Sequence, residues 1–495
     1  MKSPRLIPPH LLGRVACRAL ALVVLVAACS NRVALPEPTR PLTPSPDAPF
    51  RAAPPPVEAT RVLPPDVRTA ELANGMRILV VERPALPLVT LVWASHAAHD
   101  GDAPHEAGLA ALTAYALTQG TRLSDGRELA YLHVNGEAPL IAVDRDGSVV
   151  SIHTPAADVA VGVDTLAAVV RRPLFTPAGI QAARADQLEA MGLRSLAIGY
   201  RLRDAALLGL FGEQHPPVTP FGSHANVVKL TPAAVSSFHA AHYAPESSAL
   251  VAVGALTLAQ AVALANAHFG DWPRSAAPPA PPALAPPRPR EPSRPIQGLM
   301  GGGSRAHFVL ALPCPSAGDP RESDLDLLAM VFANLPLSRT TRLLRHEEGI
   351  SYSISARCET SRHLGTFWVE FAVEPERGGD ALAIVMNEIK RLREEDVPAA
   401  ELELAKIQLL GQIGGYLSTN AGIARMLAMT FMHGEPPDIL TRQIERIQVA
   451  TSAELRASAK YFWNRHLGIA TYGARDLIEA GLARFGNAEW SSVHD

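Results

Sequence analysis

The sequence is poor in cysteine and in aromatic residues, and its charges nearly cancel. The 495 residues include four cysteines, 5% aromatic residues, and 45 basic against 48 acidic residues, for a net charge of −3. This balance gives no electrostatic reason to expect nucleic acid or an anionic membrane surface as a partner. The hydrophobic share of 47% is that of a folded protein, which excludes disorder throughout the chain.

The N-terminus has no apolar run long enough to cross a bilayer comfortably. Residues 19–28 form a short apolar run that follows basic residues and precedes Cys29, as in an export signal. The order Val-Ala-Ala-Cys at residues 26–29 resembles a bacterial lipobox, in which the cysteine becomes the lipidated first residue. We therefore predict a lipoprotein signal peptide over residues 1–29 and, because Ser30 follows, an anchor on the periplasmic side of the outer membrane. An ordinary signal peptide with an incidental cysteine is the alternative.

Two cysteines remain once Cys17 in the signal and Cys29 are set aside. Cys314 and Cys358 would then lie in an oxidising compartment, where a disulfide is permitted. Their pairing stays open at this point. A structural zinc site built from cysteines is excluded, because such sites need four ligands.

Proline is abundant, with 44 residues, and two stretches are dense in it. Residues 30–65 and 273–295 cannot bury a core, so we predict a tether and an interdomain linker. They delimit two segments of similar length, residues 66–272 and 296–492. Two domains are expected, because a chain of this length exceeds what one hydrophobic core usually supports.

The two segments resemble each other at their C-terminal ends. Each contains a helical stretch, an apolar strand ending in glycine, a second helical stretch, a Phe-Gly pair and a tryptophan. Chance similarity of short patterns is the alternative, but the shared order favours two homologous domains related by internal duplication. The paired residues are Gly254 and Gly473, Phe269 and Phe485, and Trp272 and Trp490.

Strand and helix signals are mixed within each segment without strict alternation. Asn74-Gly75 indicates a tight hairpin between two short strands of the first segment. In the second segment, residues 399–432 have the composition of one long helical run. The expected class is α+β, with two α/β domains, rather than a doubly wound parallel sheet.

The segment GLAALTAYALTQGT, at residues 108–121, carries a family resemblance. With the preceding strand, Asn-Gly hairpin and strand, it resembles the pitrilysin and insulinase family of zinc peptidases, which includes mitochondrial processing peptidase. In active members an inverted H-x-x-E-H motif lies here on a helix. Its histidines share one helix face and bind zinc, while its glutamate deprotonates the zinc-bound water. The resemblance covers residues 63–490 and implies that family's two-domain, pitrilysin-like fold.

The zinc-binding residues of that motif are missing from this chain. Ala111, Ala114 and Tyr115 occupy the positions of the first histidine, the glutamate and the second histidine. Alanine has no lone pair to donate, and a neutral tyrosine is a poor substitute for imidazole. Glu189 is the candidate for the family's distal glutamate ligand, with a solvated surface glutamate as the alternative.

A replacement metal site near the altered motif is a second alternative. His96, His99 and His105, with Glu106, precede the motif closely and could ligate a metal in principle. Histidines in polar loops are usually just solvated, so we expect no metal on this chain.

The second segment keeps a different part of the family pattern. Residues 338–353, SRTTRLLRHEEGISYS, resemble the family segment whose arginine and tyrosine hold the substrate backbone and stabilise the developing oxyanion. Arg345 and Tyr352 fall at those two positions, although His346 replaces the family's glutamate. The alternative is structural, with Arg345 paired to Glu347 or Glu348 on a helix and Tyr352 merely beginning a strand.

By this resemblance, the chain is the non-catalytic subunit of a two-subunit metallopeptidase, inactive alone. A zinc-bearing homologue would supply zinc and base, while Arg345 and Tyr352 would contact peptide substrates in its active site. The alternative is a lipoprotein that binds extended peptides by strand addition, as a scaffold with no catalytic partner. An independent hydrolase finds no support, because the sequence has no nucleophile motif.

Overall fold

The computed structural model describes residues 62–97, 106–122, 126, 128–129, 139–212, 220–275, 296–464 and 466–492. The predicted signal peptide with Cys29, most of the tether and most of the linker lie outside these residues. Within the described part of the chain, no helix combines the length and the apolar character needed to cross a bilayer.

The first half is built on a six-stranded sheet with the order β1-β2-β8-β3-β7-β6. Strands β2 and β8 are parallel, and the other neighbours are antiparallel. A separate short hairpin pairs β4 with β5. The strands are β1 (Arg68–Glu71), β2 (Arg77–Glu82), β3 (Leu88–Ser95), β4 (Thr121–Arg122), β5 (Glu128–Leu129), β6 (Leu140–Val143), β7 (Ser148–Pro155) and β8 (Ser248–Gly254).

Helices pack against one face of this sheet and bury its main core. Thr176, Thr231 and Thr257 each begin a helix, because their hydroxyl groups accept a backbone N–H of the first turn. The helices are α1 (Leu109–Ala116), α2 (Val159–Arg171), α3 (Pro177–Leu196), α4 (Ile198–Phe211), α5 (His224–Val227), α6 (Pro232–His242) and α7 (Leu258–Phe269).

The second half has its own six-stranded sheet, with the order β11-β12-β10-β13-β9-β14. Its strands are β9 (Ile296–Met300), β10 (Ala306–Cys314), β11 (Ser351–Thr360), β12 (Gly365–Val373), β13 (Gly468–Gly473) and β14 (Ala488–Ser492). Its helices are α8 (Glu322–Ala329), α9 (Arg339–Thr341), α10 (Gly378–Glu394), α11 (Ala399–Leu417), α12 (Asn420–His433), α13 (Ile439–Val449), α14 (Ser452–Phe462) and α15 (Arg475–Leu482). Wider π-helical turns continue α8 over Met330–Asn334 and α9 over Arg342–Glu347.

The two sheets share one topology, which confirms the predicted α+β class and duplication. The series β2-β8-β3-β7-β6 corresponds to β9-β13-β10-β12-β11, with the same parallel and antiparallel pairings. The outer strand differs, because β1 is antiparallel to β2 whereas β14 comes from the C-terminus and is parallel to β9. The exact domain limits stay a prediction.

The long helical run predicted over residues 399–432 is wrong in one respect. The structure breaks it at Ser418 and Thr419 into α11 and α12. Thr419 adopts an extended backbone and its hydroxyl accepts the N–H of Gly422 at 3.0 Å, which starts a new helix. A local capping interaction therefore overrides the continuous helical composition. As a result, the axis of α12 does not have to continue that of α11.

Each half sends one helix onto the other half's sheet. Helix α12 of the second half covers the free face of the first sheet, where Leu79 and Val81 point toward it. Their neighbours Ile78 and Val80 point to the first half's own core, because strand side chains alternate between faces. Both faces of β2 are therefore buried, one by each half.

The reciprocal contact is made by α4 of the first half. Leu202, Leu207 and Leu210 pack against the free face of the second sheet, where Val309 and Trp368 meet them. The corresponding faces of both sheets thus depend on a helix from elsewhere in the chain. We expect the two halves to unfold together.

Replacing Leu207 by alanine tests this dependence. Leu207 is fully buried between the halves, so Leu207→Ala should lower the free energy of unfolding by about 2–5 kcal/mol. Hydrogen exchange should accelerate in β3 and β8 of the first sheet as well as in β10 and β13. The control is Leu193→Ala, an exposed leucine on α3, which should change little. Acceleration confined to the second sheet would contradict cooperative unfolding.

A buried cluster of titratable groups joins the halves next to α12. The Asp146 carboxylate accepts the backbone N–H of Arg362 at 2.9 Å, and His433 Nε2 lies 3.5 Å from it. His433 Nδ1 lies 3.7 Å from Glu435. Burial acts to lower the pKa of His433, but Glu435 and Asp146 outweigh it and raise that pKa. Burial raises the pKa of Asp146, because it disfavours the charged carboxylate.

Glu322 on α8 lies beside this cluster and accepts a hydrogen bond from Thr360 at 2.9 Å. Burial raises the pKa of Glu322 to about 7, and the nearby Glu435 and Asp319 add to the shift. The unfolded chain loses this proton at its ordinary pKa near 4.5, before the folded chain does. The stabilisation by this group is therefore lost as the pH rises from near 4.5 to about 7.

Glu322→Gln should remove this pH dependence, because glutamine keeps a hydrogen-bond acceptor for Thr360 and does not titrate. The difference in unfolding free energy between the variant and the parent chain should therefore rise by roughly 2–3 kcal/mol, in favour of the variant, from about pH 5 to about pH 8. Urea titrations at both pH values measure the difference, in which titrating groups that do not interact with Glu322 cancel. The exposed Glu403→Gln serves as control. A difference that stays constant with pH would contradict the assignment.

Candidate functional site

Helix α1, which carries the altered zinc motif, begins at a tightly packed turn. Gly108 precedes it with φ 98, a left-handed conformation that favours glycine. A side chain at Gly108 would also approach within 2.5 Å of the Phe221 carbonyl oxygen. Gln187 on α3 bridges both segments, since its amide donates to Gly108 O at 3.1 Å and to Phe221 O at 2.9 Å.

The former ligand positions on α1 are occupied by packing side chains. Ala111 and Ala114 have 0% exposed surface, and neither offers a donor atom. Tyr115 is half-buried, with its ring 6.3 Å from that of Phe221. Burial raises the pKa of Tyr115, with Arg194 opposing and Asp186 adding to the shift, so its phenol stays protonated. These residues fit a packed helix and do not fit zinc.

The distal position on α3 is a surface position. Glu189 is exposed, as the solvated-surface alternative has it. Asp186, one turn earlier, accepts a hydrogen bond from Gln119 at 3.0 Å. Burial and the neighbouring Glu189 raise the pKa of Asp186. The sequence reasoning passed over Asp186 and the buried Gln187, although both lie within one turn of Glu189.

The alternative histidine site lies mostly outside the described residues. His99 and His105 lie outside the described residues, and among the described ones no group of three or more metal-binding side chains occurs. His96 packs between the halves, with its Nε2 2.8 Å from the Phe431 carbonyl oxygen and its ring stacked on that of Phe431. Burial lowers the pKa of His96 to about 4, so the ring is neutral there.

Arg345 and Tyr352 lie together on the surface of the second half. The Arg345 guanidinium carbon is 4.5 Å from the centre of the Tyr352 ring, and the tyrosine is 70% exposed. A β-bulge between Ser351 and Ile354 interrupts the pairing of β11 with β12 at this point. Because bulges re-aim side chains, this irregularity turns Tyr352 out of the sheet's regular alternation.

Tyr352 lies near the start of β11, as the structural alternative has it, but the ion pair predicted for Arg345 is not formed. Glu347 pairs with Arg342 at 2.7 Å, and Glu348 pairs with Arg377 at 3.4 Å, so both carboxylates are engaged elsewhere. The Arg345 side chain instead covers an aromatic face, which is a favourable cation–π geometry. Arg345 is itself exposed.

A cavity of about 840 Å³ lies between the halves. The outer strands of the two sheets, β6 and β11, both contribute to its wall, as do α3, α4 and α12. Its lining includes neither Arg345 nor Tyr352, and it does not include Tyr115. Within this chain, the structure brings Arg345 to Tyr352, and neither that pair nor Tyr115 faces this cavity.

Two homologous α+β halves, with a motif helix that has lost its ligands, define a peptidase-like protein without a zinc centre on α1. The family model described as "Peptidase M16 inactive domain" matches residues 229–409. Proteins named "uncharacterized zinc protease" from Mycobacterium tuberculosis and Mycobacterium bovis are each 25% identical over 425 residues, covering 82% of this chain and 93% of theirs.

Solved structures share the fold over most of the chain. A peptidase M16 inactive domain from Pseudomonas fluorescens superposes with a TM-score of 0.72 at 22% identity, over 83% of this chain and 98% of its own. A protease from Helicobacter pylori gives 0.72 at 15% identity, over 82% and 99%. A chain of complex III2 from Candida albicans gives 0.71 at 14% identity, over 86% and 100%.

These matches confirm the predicted resemblance. The chain is a homologue of the M16, or pitrilysin-type, peptidases and fits a non-catalytic member of that family.

His96→Ala separates a packing role from a metal role. Losing the contact with the Phe431 carbonyl should lower the free energy of unfolding by about 1–3 kcal/mol and leave the zinc content unchanged and below stoichiometric. Zinc is measured by atomic absorption after equilibration with the metal and desalting. The exposed His346→Ala is the control. Stoichiometric zinc in the parent chain that disappears in His96→Ala would contradict the packing role.

Proposed function

We propose that this chain is the non-catalytic subunit of a two-subunit metallopeptidase. The zinc-bearing homologue supplies the Lewis acid and the general base, and this chain contributes Arg345 and Tyr352 to the shared site. The observation that carries the proposal is the exposed, stacked pair formed by these two residues.

The chemistry of the pair suits a developing oxyanion. A guanidinium group brings positive charge and several N–H donors in a fixed plane, and a phenol adds one O–H donor. Such donors accelerate acyl transfer when they are held in place before charge develops. Stacking restricts both side chains, and the bulge presents Tyr352 outward, where another chain can reach it.

The chain's own α1 cannot complete this chemistry. Alanine at positions 111 and 114 provides neither metal ligand nor base, so the reacting centre must come from a second chain. The fold match to a chain of complex III2 from Candida albicans supports assembly in general terms, because that chain is itself part of a complex.

We further propose that the chain is exported and lipid-anchored through Cys29, on the periplasmic side of the outer membrane. The disulfide between Cys314 and Cys358 supports an oxidising compartment, since such bonds are rare in reducing ones.

The second candidate is a peptide-binding scaffold without a catalytic partner. It is favoured by the cavity between the halves, whose wall includes the outer strands β6 and β11. Among the described strands, each of these pairs on one side only, so an extended peptide could add to either edge.

The decisive experiment mixes the purified chain with a zinc-bearing homologue and measures cleavage of an unstructured peptide. Arg345→Ala and Tyr352→Phe should each lower kcat by about 10- to 1,000-fold, because they remove transition-state contacts. KM and the stability of the complex should change little. The chain alone should show no turnover.

A matched pair elsewhere on the surface provides the control. Tyr461 is 63% exposed and stacks on Arg321 at 4.5 Å, the same distance as in the candidate pair. Tyr461→Phe should leave kcat unchanged. Equal turnover with Arg345→Ala and the parent chain would reject the subunit role, and peptide binding without any turnover would favour the scaffold.

A further inference from the structure

The cavity between the halves is rich in arginine although the chain as a whole is slightly acidic. Five arginines line it against two acidic residues, from segments spread over both halves. The charged lining residues are Arg145, Arg194, Arg203, Arg357, Arg425, Asp144 and Glu359. A concave wall of one sign concentrates oppositely charged ligands.

Two of these arginines are neutralised by carboxylates of the second sheet. Arg203 contacts Glu370 at 2.5 Å and Glu359 at 3.4 Å. Arg357 contacts the same Glu359 at 2.8 Å. Glu359 also accepts a hydrogen bond from Trp368 at 2.8 Å, which holds it in the wall. This side of the cavity is therefore an internally satisfied network.

Arg194 and Arg425 differ, because neither forms an ion pair with another residue in the described parts of the chain. Arg194 lies on α3, with its guanidinium carbon 4.2 Å from the Phe221 ring centre and 5.4 Å from that of Tyr200. Stacking of this kind holds the plane of the group and leaves its N–H edges available for an anion.

Arg425 reaches the cavity from the opposite half. It lies on α12, whose other face, with Ile423 and Leu427, is buried against the first sheet. The helix is thus held by the core of both halves, and Arg425 is exposed on its cavity face beside Met429. One unpaired guanidinium group therefore stands on a wall from each half.

The rest of the lining suits a peptide better than a phosphate compound. Leu140 and Met429 offer apolar surface, and the outer strand β6 runs along the wall. Arg–carboxylate forks provide two parallel hydrogen bonds each, which gives orientation as well as affinity.

We propose that this cavity binds an acidic peptide segment, with side-chain carboxylates on Arg194 and Arg425. The inference rests on the proposed function, in which the chain contacts peptide substrates, and adds the chemical class of the segment. It concerns a surface separate from Arg345 and Tyr352, so the two can fail independently.

Fluorescence anisotropy with labelled peptides of equal length and apolar content tests the proposal on the purified full chain. One peptide carries glutamate, a second carries glutamine and a third carries lysine at the same positions. The glutamate peptide should bind about tenfold more tightly than the glutamine peptide, and the lysine peptide more weakly than either. Arg194→Gln and Arg425→Gln should each remove most of this preference.

The control is Arg442→Gln, which removes an exposed arginine paired with Asp438 on α13 and should leave binding unchanged. Equal binding of the glutamate and glutamine peptides, or an unchanged preference in both cavity variants, would overturn the proposal. Full competition by tripolyphosphate at the same arginines would also overturn it, because the site would then prefer phosphate.

The same peptides serve as substrates in the mixture with the zinc-bearing homologue. Cleavage that depends on Arg345 but shows no preference for acidic segments rejects this inference and leaves the proposed function standing. Absence of both binding and cleavage rejects the two together.

Discussion

The structure depends on the fact that each of its sheets has two apolar faces. A sheet buried on one side by its own helices still exposes the other, and exposed apolar surface of that extent is unfavourable in water. In this chain, the two halves exchange helices. Helix α12 of the second half covers the free face of the first sheet, and α4 of the first half covers the free face of the second sheet. The cavity exists because these exchanged helices hold the halves side by side, while among the described strands β6 and β11 each pair on one side only.

Many of the helices and strands could be predicted from the sequence, but the exchange of helices between the two halves could not. Strands such as β2 and β10 follow from short apolar runs, and the duplication follows from the repeated order of helix, strand and helix. No local signal states which sheet a given helix will cover. Both α4 and α12 carry enough apolar residues to pack anywhere, and their destination is a property of the whole fold. Thr419 is a residue type that often begins a helix. The helical composition on both sides of it nevertheless led to the prediction of a single helix.

The candidate site also combines features that could be predicted from the sequence with features that could not. The loss at Ala111, Ala114 and Tyr115 was visible because a motif has fixed spacing. The pairing of Arg345 with Tyr352 was expected only through the family resemblance, and the bulge that presents the tyrosine was not. Arg194 and Arg425 could not be linked from sequence, because they lie on different helices more than two hundred positions apart and line one cavity only after both halves have folded.

One covalent bond bears on how the protein can be made. The disulfide joins Cys314 at the end of β10 to Cys358 on β11, and thus ties the outer strand that carries Tyr352 to the interior of its sheet. A preparation from a reducing host cytoplasm would lack this tie, and β11 would then be held through its ladder with β12. Two samples of identical sequence could differ at the very strand on which partner recognition is proposed to depend. Oxidative folding is therefore a condition for a meaningful assay of this chain.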